Sequence, residues 1–291
     1  APMSDTSAPL AATPPNWGAE SLWEAMLPLL PGLSIEIVER LGSTNTELTE
    51  RLRGAARVQA QGRGGRLDDL SPQLLVATHQ TAGRGRLGRP WHATPGGSLT
   101  FSLALPLHRA DWSGLSLAVG LAVAGALDPE GARIGLKWPN DLVVRGEAGA
   151  PGPGRKLGGI LIESVSVGGL RAAVIGIGIN IAGEPLIEAD YGVAALSELW
   201  PDATPQCALA RLAVPLARTL VAFERDGFAP LQADYARRDV LQGRTVRTTD
   251  PALPEGTAAG VDTDGALRVT HDGAMQRVLS GEVSVRLAAA N

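Results

Sequence analysis

Gly83-Arg84-Gly85-Arg86-Leu87-Gly88-Arg89-Pro90-Trp91 follows an apolar run at 74–78 that reads as a buried strand. Its glycines fit the G-x-G-x-x-G spacing of dinucleotide-binding folds, and accepting that match would make the chain a doubly wound parallel α/β protein. The dinucleotide version needs a helix opening at the third glycine, with its N-terminus facing the pyrophosphate. Here Pro90 and Trp91 intervene, and Ala93-Thr94-Pro95-Gly96-Gly97 follows, so no helix begins there. Nor do Arg84, Arg86 and Arg89 have a place in a cradle made of backbone alone. They suit a loop that itself folds over a polyanion, where glycine permits close approach and guanidinium forks pair with phosphate or carboxylate oxygens.

Around this loop the pattern is of mixed strands and helices. Residues 17–30 read as a short helix and 34–40 as a strand; Ser43-Thr44-Asn45 then offers natural caps for a helix at 46–57. Residues 59–73, rich in Gly, Arg and Asp, read as a surface insertion. A strand at 99–105 precedes a helix at 111–127 with Asp111 or Ser113 as its cap. Strands at 134–138, 142–145, 156–167 and 170–181 follow, the last three as a meander with turns at 146–154 and 167–169. The helix at 206–228 carries Leu209, Leu212, Ala213, Leu216, Leu220 and Phe223 on one face, and 231–240 continues helical. From Gly243 five short strands, punctuated by Asp250-Pro251, Asp264-Gly265 and Asp272-Gly273, make a small β-barrel-like module that must pack on the larger part.

Composition bounds the function. A chain of 291 residues with 44% apolar and 19% charged side chains is that of an ordinary globular enzyme, and a net charge of −4 offers no basic field for nucleic acid. Any anion site is therefore local. The single Cys207 rules out an internal disulfide, points to a reducing, cytoplasmic setting, and reads as a small buried hydrophobe. No uninterrupted apolar run has the length of a membrane span, and residues 1–16 lack the basic and apolar regions of a signal peptide, reading instead as a flexible leader.

Of the 26 basic residues, 24 are arginine and two are lysine, and both lysines stand in distinctive motifs. Lys137-Trp138-Pro139-Asn140-Asp141 ends a strand in a rigid turn, where an amide and a carboxylate beside a lysine suit phosphate plus metal, or an incoming amine. Arg155-Lys156-Leu157-Gly158-Gly159-Ile160 begins a strand whose glycines leave room against the backbone. Gly176-Ile177-Gly178-Ile179-Asn180 ends another strand in the same way. A compact ammonium on a flexible stem does what a flat five-donor fork cannot.

In this order and spacing, over about residues 34–287 and closing with Ser280-Gly281-Glu282-Val283-Ser284-Val285-Arg286, these motifs resemble the biotin protein ligases. The resemblance implies an α+β fold: a mixed-sheet, class II synthetase-like catalytic domain at 31–241, after a leader and short helix at 1–30, and a small SH3-like β-barrel at 242–291. It implies that biotin and ATP, with Mg²⁺, give biotinyl-AMP and pyrophosphate. The biotinyl group then passes to a lysine of the biotin carboxyl carrier protein domain of acetyl-CoA carboxylase. Carried over, Ser43, Thr44, Asn45, Gln80, Gly83, Arg84, Gly85, Arg86, Lys156 and Gly159 would surround biotin. Arg84, Arg86, Arg89, Trp91, Lys137, Asn140, Asp141 and Asn180 would surround ATP or the adenylate. Lys156, Arg86 and Asp141 would be catalytic, with Asp141 as base, metal ligand or orienting group.

Many relatives carry an N-terminal helix-turn-helix; the 42 residues before Ser43 are too few for one, so no DNA-binding function is expected. An exposed strand of the meander could support a homodimer. Two other readings remain. Lipoate- and octanoate-type ligases also load a lysine, but their Arg-Arg…Gly-Gly-Gly signature is missing. A non-catalytic biotinyl-adenylate sensor would need only part of the set of chemical groups that this chain retains.

Overall fold

The computed structural model describes residues 16–60, 70–147, 152–167, 169–183, 191–279 and 285–287. In chain order these form α1 (Ala19–Met26), β1 (Ser34–Leu41), α2 (Thr44–Ala60), β2 (Gln73–Gln80), β3 (Gly83–Arg84), β4 (Pro90–Trp91), β5 (Ser98–Pro106), α3 (Leu115–Leu127), β6 (Ile134–Lys137), β7 (Asp141–Val144), β8 (Arg155–Val167) and β9 (Leu170–Asn180). Then come α4 (Pro205–Asp226), α5 (Gln232–Arg238), β10 (Thr245–Thr248), β11 (Glu255–Val261), β12 (Leu267–His271), β13 (Ala274–Val278) and β14 (Val285–Leu287). Most of the expected leader and insertion, and residues 148–151 of the 146–154 turn, lie outside the described residues.

The large sheet has the order β1-β2-β5-β9-β8-β7-β6. Only β1 and β2 run parallel; their crossover is α2, as a parallel pair requires. The other neighbours are antiparallel, and β7, β8 and β9 form the expected meander. Period two assigns each strand's residues to opposite faces. Leu74 and Val76 of β2, Leu103 of β5 and Ile175, Ile177 and Ile179 of β9 join the main core with α3 and α4. Leu75, Ala104, Val165, Val167, Ala172 and Val174 face the other way and are covered by Leu48 and Leu52 of α2. That second face matters for function, because α2 covers only part of it.

α4 buries the expected face, Leu209 through Phe223, against α3, α1 and β5. By length and composition alone it could cross a membrane, but its apolar stripe is part of the core. Two expectations need correction. The helix of 111–127 starts only at Leu115, with Gly114 as its N-cap at φ 78°. Neither Asp111 nor Ser113 caps it; Asp111 instead accepts the Ser113 N–H in a turn ahead of it, because the left-handed backbone at Gly114 breaks the helix there. Cys207 is exposed rather than buried. It sits in the first turn of α4, where its N–H donates to the capping Thr204 hydroxyl, and its side chain falls off the apolar stripe.

β10–β14 form an antiparallel five-stranded sheet, ordered β13-β12-β11-β10-β14, the SH3-like module. Val246, Ala258, Leu267 and Val269 join the main core. The link into it is polar and buried. Asp239 is 8% exposed. One of its carboxylate oxygens accepts the Leu241 N–H, while the other has no partner. Burial pushes this carboxyl up to about 6, against the pull of the Leu241 and Gln242 N–H groups and Arg145. Its folded value lies above its unfolded one, so its stabilising contribution is complete below pH 4 and is lost as pH rises through 6. Asp239→Asn, which keeps the acceptor and removes the charge, should stabilise the protein by up to about 3 kcal/mol above pH 7. It should also flatten the pH dependence of urea unfolding between pH 4 and 6, and equal midpoints for both proteins at pH 7.5 would refute this account.

Candidate active site

Directly opposed residues of an antiparallel sheet point to the same face. One such row crosses four strands just beyond the cover of α2: Thr100 of β5 pairs with Gly178 of β9, Gly178 with Gly159 of β8, and Gly159 with Asp141 of β7. A second row sets Ser102 opposite Gly176, and Gly176 opposite Leu161. Apart from Leu161 at the end of the second row, these positions are polar or glycine, where the part of the face under α2 is largely apolar. This is the floor of the site.

The strand glycines seat the protein's own side chains. A Cβ on Gly178 would lie 2.4 Å from the Trp91 indole, and one on Gly176 2.3 Å from Asn45 Oδ1. Trp91 comes from the Arg-Gly loop, which is a small hairpin: β3 pairs with β4, Gly83 opposite Trp91. Between them lies a single 3₁₀ turn, Arg86–Gly88, with Leu87 at φ 54°, and no helix, as Pro90 and Trp91 require. Gly159 stays open, its nearest neighbours at 3.6 Å being Asp141 Oδ1 and the Trp91 ring.

At one end of the floor, the start of α2 forms a directional hydrogen-bond chain. Ser43 caps the helix. Gln80 Oε1 accepts the Thr44 N–H at 2.7 Å. Ser102 Oγ is 2.7 Å from Thr44 Oγ1 and 2.6 Å from Asn45 Oδ1. Both amide oxygens can only accept, so the Ser102 proton goes to Asn45 Oδ1 and the Thr44 hydroxyl proton to Gln80 Oε1, 3.0 Å away. Asn45 Nδ2 donates onward to Leu161 O and, at 3.0 Å, to Glu163 Oε2. The other Glu163 oxygen holds Arg84 at 3.3 Å. Floor and loop are thus tied through one glutamate.

At the other end stands a charge cluster. Lys137 and Asp141 are opposed across the β6–β7 hairpin, whose tip is Trp138-Pro139-Asn140. Trp138 is fully buried and donates to Gly265 O, and Lys137 Nζ donates to Val285 O at 2.9 Å; the SH3-like sheet therefore braces the motif. Lys156 Nζ lies 2.8 Å from Asp141 Oδ1 and 6.0 Å from the Trp91 ring. Lys156 and Gly159 are separated by an odd step and would face opposite ways on a regular strand. A register shift on β8 puts Lys156 opposite Val143, and so on the same face as Asp141. Tyr191 donates to Asp141 Oδ2 at 2.5 Å. Burial alone would raise the Asp141 carboxyl; Lys156, Lys137 and the Lys156 and Tyr191 hydrogen bonds outweigh it and hold it below the ordinary value. Arg86, half-buried, reaches Asn140 Oδ1 at 3.5 Å. Burial lowers its guanidinium, and Asp141 opposes that.

The structure therefore brings together Thr44, Asn45, Gln80, Gly83 and Arg84 at one end and Arg86, Trp91, Lys137, Asn140, Asp141, Lys156 and Gly159 at the other. Gly85 closes the loop hairpin through its N–H to Arg89 O, and the Arg89 side chain is exposed. Asn180 uses its amide on Lys156 O and Ala194 O, and so braces the Lys156 backbone. Sequence reading missed Ser102, Glu163 and Tyr191. Polar residues inside apolar strands at 102 and 163 were a readable signal; nothing marked 191.

The sequence profile of the biotin/lipoate A/B protein ligase family matches residues 66–180, and that of the biotin protein ligase C-terminal domain matches 243–286. The biotin–[acetyl-CoA-carboxylase] ligase of Mycobacterium tuberculosis is 32% identical over 259 residues, 86% of this chain and 88% of that one. The bifunctional ligase/repressor BirA of Escherichia coli is 32% identical over 89% of this chain and 76% of its own length. In fold, the Aquifex aeolicus biotin protein ligase solved with biotin and ATP superposes with a TM-score of 0.69 at 24% identity, over 88% of this chain and 99% of that one.

Proposed function

Because the chain belongs to the biotin protein ligases of the biotin/lipoate A/B protein ligase family, we propose that it is an ATP-dependent ligase that forms biotinyl-AMP from biotin and ATP. In a second step it passes the biotinyl group to one lysine of a biotin carboxyl carrier protein. The observation that carries the assignment of residues is the cation cluster of Lys156, Lys137 and Arg86 around the single carboxylate of Asp141, beside the open Gly159.

Joining a carboxylate to an α-phosphate brings two anions together, and repulsion grows toward the transition state. Three cations against one carboxylate leave the cluster net positive, which offsets that charge. Lys156 can move from Asp141 to the substrate oxygens on its flexible stem. Arg84, Arg86 and Arg89, on a hairpin anchored by Trp91, close over the mixed anhydride and keep out water. Thr44, Asn45 and Gln80 form the rigid end that receives the biotin ring system. A Mg²⁺ ion brought with ATP would neutralise part of the phosphate charge. Among the described residues no three His, Cys, Asp or Glu side chains could cage a metal, which suits an ion held mainly by phosphate oxygens and water.

In the transfer step the acceptor lysine must arrive unprotonated. A net-positive cluster disfavours its ammonium form. Asp141, held low by its neighbours, is a weak base, so its part is to orient the amine. On β8 the stretch beyond Gly159 is unpaired by β7 among the described residues, and a second copy or the carrier could add a strand there. The test is intact mass: a candidate carrier domain incubated with biotin, Mg-ATP and this protein should gain one biotinyl group. A carrier loaded from lipoate and not from biotin would overturn the reading.

A further inference from the structure

We infer that Tyr191 is a positioning residue of the adenylating site: by engaging one oxygen of Asp141, it leaves the Lys156 ammonium free to exchange from that carboxylate to the anionic oxygens of the substrates. This rests on the ligase reading above. Asp141 is shared between two donors, Lys156 at 2.8 Å on Oδ1 and the Tyr191 hydroxyl at 2.5 Å on Oδ2. The groups facing it are Lys156 from β8, Lys137 from β6, Tyr191 from the segment after β9, and Arg86 from the loop hairpin. Tyr191 is the neutral one.

Its place is built. The Lys156 N–H donates to Gly192 O at 2.9 Å, and the Ala194 N–H donates to Lys156 O at 2.8 Å, a parallel bridge that sets Tyr191 beside the lysine it serves. Lys137 Nζ stands 5.2 Å from its ring centroid, so the ring also carries charge contact. Without the phenol, Asp141 would keep a buried, uncompensated oxygen. The carboxylate would turn both oxygens to Lys156, and the ammonium would be held back from the reacting anions. The Tyr191 hydroxyl touches no substrate in this account; it acts through Asp141.

The chain has two lysines, so each can be followed separately by peptide mass after trace acylation with acetic anhydride. Tyr191→Phe keeps the ring over Lys137 and removes the donor. It should lower the acylation rate of Lys156 about tenfold or more relative to Lys137, since one charge-assisted hydrogen bond is worth at least about that factor. In biotin-dependent ATP–pyrophosphate exchange, kcat should fall about tenfold with the KM for biotin changed less than twofold. In the Asp141→Asn background, Tyr191→Phe should cost nothing further. Unchanged Lys156 acylation, or an equal added loss in that background, would overturn the inference and leave Tyr191 as packing. Should the unmutated protein show no exchange with biotin, the ligase reading fails, while the acylation arm still decides for or against Tyr191.

Discussion

Arginine at position 156 should leave the protein folded and cut biotin-dependent ATP–pyrophosphate exchange by about a hundredfold or more, the scale of losing one preorganised charge in a transition state. Substitution preserves the charge, so the expected loss is geometric. The lysine pairs with Asp141 through one oxygen, and its side chain is 19% exposed at the edge of the open space over Gly159. A guanidinium there would take both oxygens of Asp141 in a fork, displace Tyr191, and become a fixed part of the wall. Lys156→Met separates the two requirements. It removes charge but not volume, should lose at least as much exchange, and should be less stable, because Asp141 loses its nearest counter-ion while buried. Exchange by the Lys156→Arg protein within threefold of the unmutated rate would show that charge suffices.

The scarcity of lysine was a legible clue, and both lysines do flank one carboxylate. Their geometry was not legible. Lys137 needed a partner more than a hundred residues away, the Val285 carbonyl of a module that reads as separate. Lys156 needed the register shift on β8, since strict alternation would have sent it to the opposite face from Gly159. The order of strands β7 to β9 followed from apolar runs and Gly-rich turns, and the rejected dinucleotide fold from Pro90. The seating of α2 on half a sheet face could not be read, because Leu48 and Leu52 show an apolar stripe without showing where it stops. Tyr191 lay beyond reach because a tyrosine in a loop has no period and no neighbour in sequence to explain it. The glycines were read as room for a ligand; Gly176 and Gly178 instead make room for Asn45 and Trp91, and only indirectly for substrate.

That distinction yields the second large effect. Gly178→Ala should weaken ATP and adenylate binding at least about a hundredfold while lowering stability by about 1–3 kcal/mol, the usual range for one methyl forced into a packed site. The added Cβ would meet the Trp91 indole at 2.4–2.8 Å, too close to absorb without moving the ring. Trp91 cannot slide along the sheet. Its backbone pairs with Gly83, where a Cβ would lie 2.3 Å from Trp91 O, so the hairpin has no slack of its own. Displacing the indole therefore swings the whole loop, and with it Arg84, Arg86 and Arg89. The effect on binding should exceed the effect on stability because the loop is anchored to the floor at few points and its tip is exposed, with Leu87 57% accessible. Gly159→Ala is the control: its Cβ would find nothing nearer than 3.6 Å, so any loss there must arise from contact with substrate. The decisive comparison is Gly178→Ala combined with Trp91→Leu. Shrinking the ring restores space at the cost of the cation contact to Lys156, so stability should return while adenylate affinity stays low. If isothermal titration instead finds Gly178→Ala binding biotinyl-AMP as tightly as the unmutated protein, the loop does not depend on that seat, and closure over the anhydride must be organised from elsewhere.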